Sequence, residues 1–169
     1  ERRPTWQASG DYGHRWGTAI HDLLELRSKN KKADLKPIAE RMAAELELGN
    51  DRVMEMLATV SAVTKSDIWK RAQQSQQVFA EVPFECEKND CDVPTLVRGV
   101  IDLVFQEDDG WVIVDYKTDD VSDSNVAEFV EYYGEQLNAY AQYWSAILGQ
   151  PVKERGLYFT RLNRYCTAK

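Results

Sequence analysis

Asp102, Asp115 and Lys117 are the residues of this chain whose types and spacing could bind a divalent metal ion. They lie on two apolar, strand-like segments joined by a short polar turn that ends in Gly110. If the turn is centred on the Asp108–Asp109 bond, Asp102 stands directly opposite Asp115, and opposed residues point to the same face. Lys117 follows Asp115 by two residues and joins that face. The pattern therefore predicts that two carboxylates and one ammonium converge, provided that the register does not slip by one residue.

The surroundings of these three charges favour a bound cation. Both faces of the two segments are apolar, as is typical of central strands. The face opposite the charges is predicted to carry Ile101, Leu103, Phe105, Val112, Val114 and Tyr116, and the charged face Val100, Val104, Trp111 and Ile113. Buried charges are costly unless they are paired or bind a metal, and opposed carboxylates repel each other. A divalent cation resolves both costs. The alternative is a buried Asp–Lys ion pair beside a protonated second Asp.

The elements that must position these residues follow from the spacing of the apolar side chains. Helical spacing in the first part of the chain changes to strand-like alternation near residue 78. Predicted helices begin at Thr18 and Asp51, each acting as an N-cap, at Leu35 and Ser66, and at Asn125 for a long helix to Leu148. Predicted strands cover residues 78–85, 96–105, 111–117 and 154–160. This order predicts an α/β domain with a mixed sheet and helices on both faces.

Composition limits the class of protein further. The chain has 169 residues, which suits one domain, and no apolar run long enough to span a bilayer. Its net charge of −7 is not typical of a free-standing nucleic-acid binder, although carboxylates around a metal also make a chain acidic. Cys86, Cys91 and Cys166 favour free thiols in a reducing compartment over a disulfide framework. A start at Glu1 instead of Met predicts a piece of a longer polypeptide or a processed chain.

Short motifs in order along the chain resemble the RecB-like branch of the PD-(D/E)xK nuclease family. Its signature is similar to Gly99-Val-Ile-Asp102-Leu-Val-Phe followed by Trp111-Val-Ile-Val-Asp115-Tyr-Lys117-Thr-Asp119, with Ile101 in place of the proline. The helix that gives the family a histidine ligand resembles Gly17-Thr-Ala-Ile-His21-Asp-Leu-Leu-Glu25. Its strand carboxylate resembles Glu81, and its QxxxY motif resembles Gln136-Leu-Asn-Ala-Tyr140. The resemblance covers about residues 14–160 and is closest to the nuclease domains that end bacterial AddA-type helicase–nuclease subunits.

The resemblance implies a role for each matching residue. His21, Asp102, Asp115 and the main-chain carbonyl of Tyr116 would bind the metal, with Mg²⁺ as the ion and Mn²⁺ as a substitute. Asp102, Asp115 and Lys117 would be catalytic, and Lys117 would position or help to deprotonate the attacking water.

Four further residues would support that set or contact DNA: Glu25, Glu81, Gln136 and Tyr140. Each of them, like His21, also has a structural alternative. His21 could be a core histidine, the carboxylates could be solvated or paired locally, and Gln136 and Tyr140 could simply pack in an aromatic helix.

The fold implied by the resemblance is a restriction-endonuclease-like core over residues 77–160. A mainly helical part over residues 1–76 carries the histidine, within a single domain of residues 1–169. The implied function is a divalent-metal-dependent DNA nuclease, an exonuclease acting on single-stranded ends. It would belong to an ATP-dependent helicase–nuclease of the bacterial cytoplasm that processes double-strand breaks for recombinational repair.

The implied partners are DNA, helicase domains of the same polypeptide and a second helicase–nuclease subunit, with no membrane. The alternative function is a catalytically silent RecB-like module that binds or scaffolds within a helicase complex.

Overall fold

The computed structural model describes residues 11–88 and 95–168. Its helices are α1 (Asp11–Lys29), α2 (Lys36–Glu45), α3 (Val53–Lys65), α4 (Asp67–Gln74) and α5 (Val126–Leu148). Its strands are β1 (Gln77–Lys88), β2 (Thr95–Glu107), β3 (Gly110–Lys117), β4 (Val152–Phe159) and β5 (Arg164–Thr167). The predicted order of helices, three strands, a long helix and a strand is confirmed, and β5 is an addition that the basic C-terminal stretch did not indicate.

The strands form one mixed sheet in the order β1-β2-β3-β4-β5. β3 and β4 are parallel and are connected through α5, whereas the other neighbouring pairs are antiparallel. One apolar core lies between the sheet and α1 to α4, and a second lies between the sheet and α5. The predicted α/β architecture with helices on both faces is therefore confirmed.

The predicted register of the β2–β3 hairpin is confirmed as far as the ladder runs. Leu103 pairs with Val114 and Glu107 with Gly110, as a turn centred on the Asp108–Asp109 bond requires. The ladder ends at Leu103 and Val114, although β3 continues to Lys117 beside β4, and β2 continues beside β1. The two halves of the sheet therefore separate at the rung where Asp102 and Asp115 were predicted to pair. We call this opening the fork.

The alternation of side chains also changes at the fork. Glu81 has a left-handed backbone with a φ of 52°, and neither Glu81 nor the facing Asp102 takes part in the β1–β2 ladder. Before this rung Phe79 packs on the α5 side against Trp111, and after it Val82 packs on that same side. An odd-numbered and an even-numbered residue therefore share one face of β1.

One predicted facing is wrong for the same reason. Simple alternation places Ile101 on the face of Leu103, but Ile101 lies in the α5-side core with Val104, while Leu103 lies in the other core. A strict period of two fails here because the chain changes phase at Asp102.

Two predicted N-caps are also wrong. α1 already runs from Asp11, so Thr18 lies inside it and its hydroxyl donates to the His14 carbonyl at 3.1 Å. Asp51 lies in a 3₁₀ turn (Asn50–Arg52) that leads directly into α3. In contrast, Ser66 caps α4 and accepts a hydrogen bond from the Trp69 amide at 3.3 Å.

A close approach by Gly17 positions α1 against the end of β3. A Cβ atom at Gly17 would lie 3.1 Å from the Thr118 hydroxyl, just beyond the last residue of β3. This is tighter than ordinary van der Waals contact, so a larger residue would push α1 away from the sheet. His21 follows Gly17 by about one helical turn and is thereby brought to the fork.

Two expectations from composition also meet the structure. Cys166 is a free, half-buried thiol, whereas the Cys86 and Cys91 side chains lie outside the part that the structure describes. Among the described residues, no helix is long and apolar enough to cross a membrane.

A guanidinium at the other end of the hairpin ties the helical layer to the sheet. Arg71 of α4 donates to both carboxylate oxygens of Glu107 and of Glu154, at 2.9–3.0 Å. Hydrogen bonds with Arg71 hold the pKa of Glu107 at about 2 and also lower the pKa of Glu154. These carboxylates join β2 and β4 to one cation, so the contact links three elements.

We expect Arg71→Met to lower the free energy of unfolding at pH 7 by about 1–3 kcal/mol, because two carboxylates lose a shared bidentate partner. Since their pKa values are depressed in the fold, this contribution exists above pH 4.5 and is lost as the pH falls toward 2. Urea unfolding at pH 7 and pH 3 measures it. Arg41→Met is the matched control, because Arg41 pairs only with exposed Glu45 within α2. Equal losses in both variants would contradict the prediction.

Candidate metal and active site

Side chains from α1, β1 and β2 meet at the fork. His21 Nδ1 lies 3.1 Å from Asp102 Oδ1 and 3.9 Å from Glu81 Oε1. One donor atom from each of these residues lies within 4.8 Å of the other two. An imidazole nitrogen and two carboxylates have therefore come together from positions far apart in the sequence.

The second oxygen of Asp102 explains how the sheet opens. Asp102 Oδ2 accepts a hydrogen bond of 2.6 Å from the backbone amide of Tyr116, in a fully buried position. A carboxylate of β2 thus binds an amide of β3 beyond the last ladder pair. This bond satisfies a buried donor and fixes the main chain of Tyr116 beside the site. That the Tyr116 carbonyl binds a metal stays a prediction.

Asp115 and Lys117 form an ion pair on the α5 side of the fork. Asp115 Oδ2 and Lys117 Nζ are 2.6 Å apart, and the two side chains are only 4% and 14% exposed. Asp102 and Asp115 are the buried charged residues of the described chain. The predicted convergence of two carboxylates and one lysine is therefore observed, but Asp102 contacts α1 while the partners of Lys117 lie on α5.

The predicted QxxxY pair lies directly against this lysine. Lys117 Nζ donates to Gln136 Oε1 at 3.1 Å, and Gln136 Nε2 donates to the Tyr140 hydroxyl. The Tyr140 ring packs edge-on against Phe84, with ring centroids 5.1 Å apart. Of the two roles that the sequence left open, the contacts favour orientation of Lys117.

Glu25 and Tyr133 have positions that the motifs did not describe. Glu25 lies one turn beyond His21 on α1 and pairs with Lys29, outside the close set of three donors. The periodicity of α5 places Tyr133 only in its apolar stripe, yet the Tyr133 ring covers Lys117. Its spacing of three residues before Gln136 places both on one helix face, which is the signal that could have revealed it.

The crowded carboxylates change the protonation of the site. Burial opposes the charged imidazole, but the hydrogen bond and charge of Asp102, with Asp115 and Glu81, raise the pKa of His21 to about 9. Burial and then the charge of Asp102 raise the pKa of Glu81 to about 7. The same two causes raise the pKa of Asp115, against the opposing effect of Lys117. Without a metal, protonated His21 and Lys117 therefore balance the carboxylates.

The donor set fits a divalent ion. Carboxylate oxygens suit Mg²⁺, and an imidazole nitrogen is better tolerated by Mn²⁺. A divalent charge could replace the proton of His21 in the charge balance of the site. The close set includes Glu81, which the motifs gave a supporting role, while Asp115 faces Lys117 instead. Which carboxylates bind the ion stays a prediction.

A mixed sheet opened at two buried aspartates and a lysine, with helices on both faces, defines the class of restriction-endonuclease-like nuclease folds. The model of the PD-(D/E)XK nuclease superfamily matches residues 2–167, and the chain belongs to this superfamily.

Curated relatives are named as the A-type subunit of an ATP-dependent helicase/nuclease. Those of Alkaliphilus metalliredigens and Carboxydothermus hydrogenoformans are 34% and 31% identical over 156 and 161 residues. The matches cover 84% and 88% of this chain but 13% and 14% of the relatives, so the chain spans about one seventh of their length. A solved structure titled "Crystal structure of SSO0001" matches 89% of this chain and 74% of that one, with 16% identity and a TM-score of 0.45. That likeness is too low to add to the family assignment.

The raised pKa of Glu81 predicts a pH-dependent cost of folding in the metal-free protein. A group with a pKa near 7 in the fold and 4.5 when unfolded loses stability as the pH rises between those values. We expect Glu81→Gln to gain about 1–2 kcal/mol relative to wild type on going from pH 5 to pH 8. The backbone strain at residue 81 is the same in both proteins, because neither side chain is glycine.

Denaturant unfolding in EDTA at both pH values measures this gain. Glu135→Gln is the matched control, because Glu135 is an exposed residue of α5 away from the three donors. A pH dependence that is identical in Glu81→Gln and wild type would contradict the prediction.

Proposed function

We propose that this chain is a divalent-metal-dependent deoxyribonuclease domain that hydrolyses phosphodiester bonds. The observation that carries the proposal is the fork, where three potential ligands lie within 4.8 Å of one another beside a buried Asp115–Lys117 pair. The site thus combines ligands for an ion with a fixed ammonium, which are the two components that phosphate hydrolysis at neutral pH requires.

His21, Asp102, Asp115 and the Tyr116 carbonyl would hold the ion, with Glu81 as a further donor. When bound, a divalent ion supplies Lewis acidity, which polarises the scissile phosphate and acidifies water. We propose Mg²⁺ as the physiological ion and Mn²⁺ as a substitute, since most donors are oxygens. The bond between Asp102 and the Tyr116 amide keeps both groups in place during the reaction.

Lys117 would act on the water and the phosphate. Its Nζ faces Asp115 and is held by Gln136, so the ammonium points toward the carboxylates instead of solvent. From there it can orient the attacking water and offset the charge that develops on the phosphate. Tyr140 holds the amide of Gln136, and the low exposure of Lys117 strengthens its electrostatic effect.

The wider setting of the domain belongs to the same proposal. The superfamily and the helicase/nuclease names of the relatives support a place in a bacterial, cytoplasmic helicase–nuclease with a second subunit. We propose that it is a single-domain exonuclease unit of residues 1–169, acting on single-stranded ends in double-strand break repair. A helicase that holds the DNA would provide a high effective concentration, so a domain with a net charge of −7 need not bind DNA tightly itself.

We expect cleavage of labelled single-stranded DNA with Mg²⁺ or Mn²⁺, and none in EDTA. Asp115→Asn and Lys117→Met should each reduce the rate by about 10²-fold or more, because each removes a charge that acts on the reacting phosphate. Asp109→Asn and Lys153→Met are matched controls, since this exposed ion pair joins the same residue types at the opposite end of the hairpin. Comparable rates in the site variants and the controls would contradict the assignment of the centre.

Metal binding separates this proposal from a catalytically silent scaffold. At an ion concentration ten times Kd we expect about 1.4 kcal/mol of stabilisation of the wild-type fold. Asp102→Asn should lose that gain, because it removes a charged donor from the close set of ligands. Lys117→Met should keep it, because the ammonium otherwise competes with the ion for Asp115.

Thermal unfolding against Mg²⁺ and Mn²⁺ concentration gives the measurement. A wild-type melting temperature that is insensitive to both ions would favour the scaffold.

A further inference from the structure

Lys117 has a third close contact besides Asp115 and Gln136. Its Nζ lies 3.9 Å from the centroid of the Tyr133 ring, within the range of a strong cation–π interaction. Tyr133 lies on α5 one turn before Gln136, so the two side chains approach the lysine from the same helix. The ammonium therefore lies among a carboxylate, an amide oxygen and an aromatic face.

The Tyr133 ring is itself held in place. Its hydroxyl donates to Asp119 Oδ1 at 3.1 Å, two residues beyond Lys117. The ring also packs against Phe129 and Tyr132, with centroid distances of 6.4 and 4.9 Å. Contacts on its edge and its hydroxyl thus fix the plane that faces the ammonium.

We propose that Tyr133 is a positioning residue for Lys117, an inference that rests on the proposed nuclease function. A lysine side chain has four flexible carbons, and two polar contacts on one side leave the ammonium free to swing outward. The ring of Tyr133 supplies the remaining side, so the ammonium stays directed at Asp115. No part of Tyr133 needs to touch the DNA or the ion for this role.

The kinetic consequence is specific to positioning. Loss of the ring should reduce kcat and leave KM nearly unchanged, because the orientation of Lys117 matters in the transition state more than in substrate binding. We expect Tyr133→Leu to reduce kcat about 5- to 30-fold. Tyr133→Phe keeps the aromatic face and loses only the bond to Asp119, so its kcat should stay within about threefold of wild type.

Tyr143→Leu is the matched control. Tyr143 is a half-buried tyrosine of the same helix that packs against Phe84, with ring centroids 4.9 Å apart, away from the lysine. Its loss removes a similar aromatic contact from the α5-side core, so it reports the effect of that loss on the fold. We expect its kcat to equal that of wild type once the protein is folded.

A spectroscopic signature tests the contact without any cleavage. The ring current of Tyr133 should shift the ε-methylene resonances of Lys117 upfield in wild type and in Tyr133→Phe. In Tyr133→Leu these resonances should return to the position of an ordinary lysine. Assigned ¹³C–¹H spectra of the metal-free chain give this comparison, with Lys117→Arg used to assign the signal.

The two readouts separate the failure of this inference from the failure of the proposed function. Unchanged Lys117 resonances in Tyr133→Leu would overturn the inference, and so would a Tyr133→Phe variant as slow as Tyr133→Leu. If the wild-type chain cleaves no DNA at all, the proposed function fails, while the resonance shift still decides whether Tyr133 holds the lysine. A rise in KM with unchanged kcat would also overturn the inference, because it indicates a substrate contact.

Discussion

The hydrogen bond from the Tyr116 amide to the Asp102 carboxylate sits where β2 and β3 separate. On a regular ladder Asp102 would face Asp115 directly, and two buried carboxylates at that distance repel each other. The chain ends the ladder one rung earlier, and a side-chain oxygen takes the amide proton that a backbone carbonyl would have accepted. The fork, its two-sided access and the placement of the ligands all depend on this substitution.

The fork can persist because elements on both faces of the sheet close it. α1 brings His21 to one side through the close contact of Gly17 with Thr118, while α5 brings Gln136 and Tyr133 to the other. Left-handed Glu81 and the change of phase in β1 and β2 widen the opening on the outer side. At the far end of the hairpin the Arg71 contacts keep the strands and the helical layer together. Rigidity away from the site thus supports an electrostatically costly centre.

The same charges that make the site costly make it selective for a cation. Raised pKa values of His21 and Glu81 mean that the metal-free protein retains protons to balance its carboxylates. A divalent ion would release that requirement, so metal binding and proton release are linked. In a chain with a net charge of −7, DNA approaches a surface that is acidic on the whole. Delivery by a tethered motor is physically more economical than strong intrinsic affinity.

The sequence by itself determined the α/β class, the hairpin register, and the identity of His21, Asp102, Asp115 and Lys117 as the candidate site. These follow from local periodicity, a short turn and motif spacing, which act over a few residues.

Only the tertiary structure decided that Ile101 changes face, that Glu81 joins the close donor set and that the Tyr133 ring covers Lys117. Alternation fails wherever a buried charge makes a ladder rung unfavourable, and a contact between α5 and β3 has no local signal. Both were set by the cost of burying charge between two packed layers, which depends on elements distant in the sequence.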